Sequence, residues 1–591
     1  MNRGWRNAGA WCAAILIFGM NTNAQDRTQA RSMVISRQGI VATSQTLASQ
    51  AGAQILARGG SAMDAAIAAN AVLGVVEPMS DGIGGDLFAI YWDAKTGKLS
   101  GINASGWAPK AQSIEYLRKK GISSMPQSGI QSVTVPGCVD GWDKLHRKFG
   151  RLPWRDLFQP AIYYARNGFP VTEMIAGAWS RAVSTLDMDE NGRRIFLRDG
   201  QAPAVGEIFK NPEVALALDL IADTGPAAFY RGPIAKALLA TSDRLGGTMA
   251  GADLSEFASE WVEPISTDYH GWKVYELPPN GQGMATLEML NIMEGFPLAA
   301  GGAMSTDTFH IKMEAQKLAY ADLQRYLADP RFAKVPVEGI LSKKYAAERA
   351  GLIDAKKARC DGQAGDPKQY TGDTIYLSAV DREGNIASLI QSVYLSFGSG
   401  VVVKGYGFHL QDRGALFEMD PEHPNALAGR KRPFHTIIPA FMEKGSVHIG
   451  FGIMGGLNQA QAHAQFVSNM VDHGMNIQAA LEAPRFTKLT FGGCDVMIEA
   501  RVPADVRAEL AEHGHRLELQ GDFSSWMGGG QAVIHDAATG VNYAASSPRK
   551  DGAAVPEAPD FFQPTATAQK PKVGSGTKAG GKSPGQPPRK Q

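Results

Sequence analysis

Cysteine is scarce. Four stand in 591 residues, at Cys12, Cys138, Cys360 and Cys494. No CxxC occurs, and no Cys/His cluster has zinc spacing, which excludes a thioredoxin-like redox motif and a zinc scaffold. Cys12 falls in an N-terminal leader, so three remain, enough for one bridge with one thiol over. Net charge is also missing: 59 basic residues face 58 acidic ones, leaving +1. No global field therefore draws in nucleic acid or anionic lipid. The chain lacks a P-loop lysine motif, an HExxH pair and a GxGxxG turn following a strand. His423, His435, His463 and His473 have no metal-ligand spacing, so no metal site is predicted. Beyond the leader there is no run of roughly eighteen apolar residues, so no integral membrane helix is expected.

What remains is a globular composition, with 44% hydrophobic and 20% charged residues. The length suggests roughly two to four domains or one large α/β body. The opening MNRGWRNAGAWCAAILIFGMNTNAQD has a basic start at Arg3 and Arg6, a short apolar stretch, and small residues before position 25. It reads as a signal peptide over 1–24, which predicts a periplasmic or secreted protein; an uncleaved anchor is the alternative. The tail 564–591 carries six basic and no acidic residues among Gly, Pro and Ser. It reads as a disordered basic tail.

Between these ends the pattern is α/β. A short strand from Ile40 leads into a helix with apolar Ala51, Ile55 and Leu56, which Gly59-Gly60 stops. An Ala-rich helix over 63–75 is apolar nearly all round and should be buried. Residues 87–105 form a hairpin about Lys95-Thr96-Gly97-Lys98. Residues 150–370 read as mostly helical. Strand runs return in "TIYLSAVD", "GNIASLIQSVYL", "SGVVVKGYGFHL" and "SVHIGFGI", and a long helix follows over 458–473. By pattern alone this is two α/β blocks joined through a helical middle.

The stretch "GDTIYLSAVD" puts Thr374 at the head of a strand behind a Gly372-Asp373 turn. A threonine hydroxyl is a weak nucleophile unless a base lies within hydrogen-bond reach. Cutting the chain before it frees an α-amine with a pKa near ~8, which serves as that base. "FGIMGGLNQAQ" sets Gly455-Gly456 between a strand and a helix, where backbone N–H groups can face an oxyanion. "GIGGDLF" offers a further close approach at Gly82, Gly84 and Gly85, or a plain turn.

These stretches, with "GIVATSQTLASQAGAQILARGGSAMDAAIAANAVLGVVEP", "SVTVPGCVDGW", "LPPNGQG", "SFGSGVV", "KRPFHTIIP" and "SSPRKDGAA", resemble the gamma-glutamyltransferase (glutathione hydrolase) family of N-terminal-nucleophile hydrolases, in order from about Gly39 to Val555. The resemblance implies an α/β (α+β) fold: a four-layer αββα sandwich made by a precursor cut into a large subunit, 25–373, and a small one, 374–563, which stay together. It implies no metal or organic cofactor. It implies Thr374 as nucleophile, Gly455 and Gly456 as oxyanion glycines, and Ser392 as a hydroxyl supporting the new amine. The partners would be a small-molecule amide and water or an amine acceptor. Ile375 stands where many members carry a second threonine.

The acyl pocket departs from the family. Ser105, near Trp107, takes the place of an arginine that grips the glutamyl carboxylate. His435-Thr436 replace paired serines. Tyr394, Arg413 and Leu416 replace residues that hold the glutamyl amine and carboxylate, and an acidic partner is lost at Leu416. Arg413 offers a substitute positive charge. The pocket reads as built for a different acyl group, one with a carboxylate and no amine. The rival reading is an unprocessed, non-catalytic homologue acting as a periplasmic binding or scaffold protein.

Overall fold

The computed structural model describes residues 29–360 and 373–561. The leader 1–24, the tail 564–591 and the Gly372 half of the expected turn lie outside these residues. Asp373 itself opens a strand.

Two helices show how local sequence sets local structure. Thr46–Ala57 ends where Gly59 adopts φ +88°. There Gly60 N donates to the Ile55 carbonyl and Gly59 N to the Leu56 carbonyl, the paired bonds of a glycine C-cap. Ala62–Val76 begins in a capping box: Asp64 N donates to Ser61 Oγ, and Ser61 N to the Asp64 carboxylate. All but one of its residues are buried. Its alanines allow close seating against the sheet.

Two seven-stranded antiparallel sheets form the centre. The first runs Ala553–Pro556, Ile40–Thr43, Asp373–Val380, Ile386–Tyr394, Asp86–Asp93, Lys98–Ala104, Glu260–Val262. The second runs Val34–Ser36, Val541–Ser546, Gly530–Asp536, Val447–Ile453, Ala440–Lys444, Trp272–Glu276, Ile265–Tyr269. Three apolar clusters fill the three gaps between four layers. Phe88, Ile90, Tyr376, Ile390, Phe441 and Val533 lie between the sheets. Ile375, Leu377 and Leu389 face helices Ala62–Val76 and Trp154–Asn167. Phe451 and Ile453 face helices Gly283–Met293 and Asn458–Val471. The strand Asp373–Val380 shows period-two alternation: Ile375, Leu377 and Ala379 point to the helices, Tyr376 and Val380 to the other sheet. This is the αββα sandwich.

The two-block reading is corrected. Residues 265–276 come from the expected helical middle, yet they form an edge hairpin of the second sheet. Each sheet draws strands from both halves of the chain, because burying a two-faced sheet requires a layer on each side. "SGVVVKGYGFHL" is also not a strand. It holds only the bridge Val402–His409, because Gly400, Gly405 and Gly407 all take positive φ.

Candidate active site

Thr374 stands at a β-bulge. Its strand pairs Asp373 with Tyr394 and Ile375 with Gln391, and the register shifts between them. A bulge re-aims the side chain it carries. The Thr374 hydroxyl donates to Ser392 Oγ at 3.2 Å, and Tyr394 N donates to that same oxygen at 2.8 Å. Ser392 thus links the nucleophile candidate to the neighbouring strand. Ile375 is sealed in the helix–sheet core.

The strand Val447–Ile453 leads through Gly455, φ +120°, and Gly456, φ +61°, into the helix Asn458–Val471. Their carbonyls are tied down: Asn458 N donates to Gly455 O at 3.0 Å, and Gln282 Nε2 to Gly456 O at 2.9 Å. Among the described residues their N–H groups donate to no acceptor. Near the positive end of a helix, such a pair suits a developing oxyanion. Thr374 and Gly455 line one cavity of about 510 Å³ with Ser396, Met454, Trp526, Lys550 and Arg181. Gly84 and Gly85 permit a close approach behind the site: a Cβ on Gly85 would lie 2.5 Å from the Ser392 carbonyl oxygen.

Tyr394, the residue that pairs with Asp373, leads into a buried charged cluster. The Arg413 guanidinium stacks 4.8 Å from the Tyr394 ring centroid, and its Nη1 donates to Thr436 Oγ1 at 2.7 Å. Arg413 is fully buried, and among the described residues its Nε and Nη2 have no hydrogen-bond partner. Burial pulls its pKa down to about 10, opposed by Asp86, Tyr394 and Asp412, so it remains a cation at neutral pH. Asp86 accepts from Gly106 N, Gly137 N, Gln411 Nε2 and His435 Nε2. Burial still pushes its carboxyl up to about 7, with Arg413 the main counterweight. Burial likewise raises Asp412 to about 8. His435 is held well below its usual range by burial, then by Arg413 and Arg432. Ile437 N donates to its Nδ1, so the neutral ring carries its proton on Nε2, facing Asp86.

The expected pocket residues therefore fall into three places. Thr374 and Gly455 line the cavity, with Ser392 bonded behind Thr374 and Gly456 next to Gly455 in the chain. Tyr394, Arg413, His435 and Thr436 form the charged cluster. Ser105 and Trp107 belong to neither group. Ser105 Oγ donates to Asn103 Oδ1 at 2.7 Å, and it reaches the cluster through neighbours: Gly106, whose N–H donates to Asp86, and Asn280, whose Nδ2 donates to Ser105 Oγ at 3.3 Å and whose carbonyl accepts from His435 N. Trp107 packs between Phe257 and the Arg430 guanidinium, 4.9 Å from its ring. Leu416 lies in an apolar cluster with Tyr394 and Phe434. Sequence reasoning missed Asp86 and Asp412. The available signal was an acidic residue opening an apolar strand in "GGDLF".

Among the described residues, one group away from Thr374 has ligand-type side chains close together: His310, Glu314 and His515. His310 Nδ1 and His515 Nε2 bond each other at 2.8 Å, and Lys317 Nζ sits 2.7 Å from Glu314 Oε1. That ammonium already balances the carboxylate.

The gamma-glutamyltranspeptidase family matches residues 48–557. The chain is 37% identical over 527 residues to the glutathione hydrolase-like YwrD proenzyme of Bacillus subtilis (strain 168), covering 88% of this chain and 99% of that protein. It is 33% identical over 541 residues to the acylase ACY 1 proenzyme of Pseudomonas sp. (strain V22), covering 90% and 95%. The crystal structure of cephalosporin acylase from Bacillus halodurans superposes with a TM-score of 0.84 at 41% identity, covering 92% of this chain and 99% of that one. With a strand-head threonine, a glycine pair at a helix start and an αββα frame, the chain belongs to the gamma-glutamyltranspeptidase family and is an enzyme of its N-terminal-nucleophile hydrolase and acyltransferase type.

Proposed function

We propose that the chain is an exported proenzyme that cuts itself between Asp373 and Thr374, and that it then cleaves a small-molecule amide whose acyl chain ends in a carboxylate and carries no amine. The observation that carries this reading is Thr374 at a bulge, bonded to Ser392 and opening on the same cavity as Gly455. In the cut enzyme the free α-amine of Thr374 takes the proton from its own hydroxyl as Oγ1 attacks the amide carbon. The N–H groups of Gly455 and Gly456 receive the oxyanion. The amine leaves with the proton, and an ester to Thr374 remains. Water, or an amine acceptor, attacks that ester and releases the acyl group.

Arg413 supports the carboxylate half of the reading. It is a buried cation with two donors unspent, next to the residue that pairs with Asp373. A planar guanidinium receives a carboxylate bidentately. Leu416 argues against a glutamyl group, whose ammonium would lie unpaired against apolar surface. Relatives named acylase and cephalosporin acylase fit an acyl group other than glutamyl.

N-terminal sequencing of the smaller fragment tests processing and register together; the expected first residues are Thr-Ile-Tyr-Leu. An intact chain after prolonged incubation would favour the non-catalytic rival. Amides of dicarboxylic acids should turn over faster than a gamma-glutamyl anilide. The reverse order would overturn the assignment of the pocket.

A further inference from the structure

Cys360 and Cys494 are joined by a disulfide, with Cα atoms 5.0 Å apart, and Cys138 is left as a buried free thiol. The two bridged cysteines fall on opposite sides of the proposed scission. Cys360 stands fourteen positions before Thr374, in the large subunit, and Cys494 lies well inside the small one. We propose that this disulfide is the covalent tie between the two subunits of the mature enzyme, so that self-cleavage yields one cross-linked molecule rather than two separable chains. This rests on the processing reading above.

The surroundings of the bridge support a built attachment. The end of the large subunit is docked by backbone as well as by sulfur. Ala358 N donates to the His513 carbonyl at 2.7 Å, so the approach to Cys360 lies along the small subunit. Arg359 N donates to Glu314 Oε2, which ties the same segment to the long helix Thr306–Tyr326. Cys494 is 1% exposed, and its carbonyl accepts from Arg516 N at 2.8 Å. It is therefore held rigidly at the start of the strand Asp495–Glu499. Cys360, by contrast, is exposed. The bridge thus joins an exposed residue near the end of the large subunit to a buried, fixed position in the small one.

The bridge also has a purpose that only cleavage creates. In an uncut chain it closes a loop of 134 residues. In a cut one it keeps unfolding unimolecular, because the partner subunit stays at high effective concentration. Such a bond persists in oxidising compartments, which agrees with the leader read from the sequence.

The experiment is a denaturing gel of the mature protein with its free thiols alkylated, run with and without reductant. Two bands with reductant, for residues 25–373 and 374–591, and one band without it are the expected result. Two bands in both lanes would overturn the tie while leaving processing intact. One band in both lanes would overturn both, since an uncut chain has no second subunit. Cys494→Ser should give two bands in both lanes. Cys360→Ser, at an exposed position, should do the same without disturbing the interior, and Cys138→Ser should keep the wild-type pattern. The processed wild type should melt at a temperature independent of protein concentration. The Cys360→Ser protein should melt lower, at a temperature that falls on dilution. A melt that does not shift with dilution in that variant would count against the tie.

Discussion

The cavity around Thr374 and the cluster around Arg413 are neighbours, yet they are built from opposite materials. The first sets the Thr374–Ser392 hydroxyl pair beside a cavity that Gly455 lines, with the cations Lys550 and Arg181 on its wall. The second buries Arg413, Asp86, Asp412 and His435 with little or no exposure. Neutral, fixed dipoles suit a charge that appears only in the transition state. A buried ion suits a charge that the substrate brings with it. On the proposed reading the first region carries the chemistry and the second the selection of the acyl group.

Thr374→Ala is expected to abolish both scission and amide hydrolysis, lowering turnover by on the order of 10⁴-fold or more; a reducing gel and a rate assay read it. Gly455→Ala should lower kcat by about 10²–10³-fold with KM nearly unchanged. A Cβ at φ +120° is strained, and it would stand 3.2 Å from Asn458. Arg413→Met should leave scission intact yet cost about 2–4 kcal/mol in kcat/KM on carboxylate-ended acyl amides, with little change on acyl groups lacking the carboxylate. Equal losses on both substrate types would erase the division of labour between the regions.

The smallest effect concerns pH. Burial holds His409, His463 and His515 down to about 3 each. Their folded-state values lie below the unfolded value near 6.5, so the stability they contribute is present above about pH 6.5 and is lost as pH falls toward 3. Asp86 and Asp412 act with the opposite sign: their raised values make their ionisation cost stability as pH climbs from about 4 toward 7 and 8. Urea titrations of the wild type and His409→Leu across this range isolate the histidine part, which falls on the acid side. His409→Leu removes a ring whose two nitrogens have no hydrogen-bond partner among the described residues and which packs against Phe196 and Phe397. It should move the acid midpoint to lower pH without lowering stability at pH 7.

The meeting of Thr374 with Gly455 was legible because the patterns that mark them are local. A threonine before a β run and a glycine pair between strand and helix are short-range patterns, and the structure sets Thr374 and Gly455 on one cavity. The buried Ala-rich helix was legible for the same reason, since its apolar face is continuous. The charged cluster was not legible. Asp86 and His435 are 349 positions apart, and nothing in either neighbourhood announces the other. The hairpin Ile265–Glu276 was missed because its strands are five residues each inside a helix-rich stretch, and an edge position needs little apolar alternation. For Trp107 the sequence leaves stacking on the acyl group and simple packing both open, because an exposed stack and a packed ring look alike in one dimension; the ring packs between Phe257 and Arg430.

From its residues alone, then, the chain determined its periodicities, its cap and turn positions, the bulk burial of its helices and the place of a threonine at a strand head, because these depend on neighbours a few positions away. Only the folded arrangement decided which cysteines meet, which carboxylate faces Arg413 and whether an aromatic lines a cavity or fills a core. Those outcomes depend on distances between segments hundreds of residues apart, which are set when three apolar gaps close around two sheets.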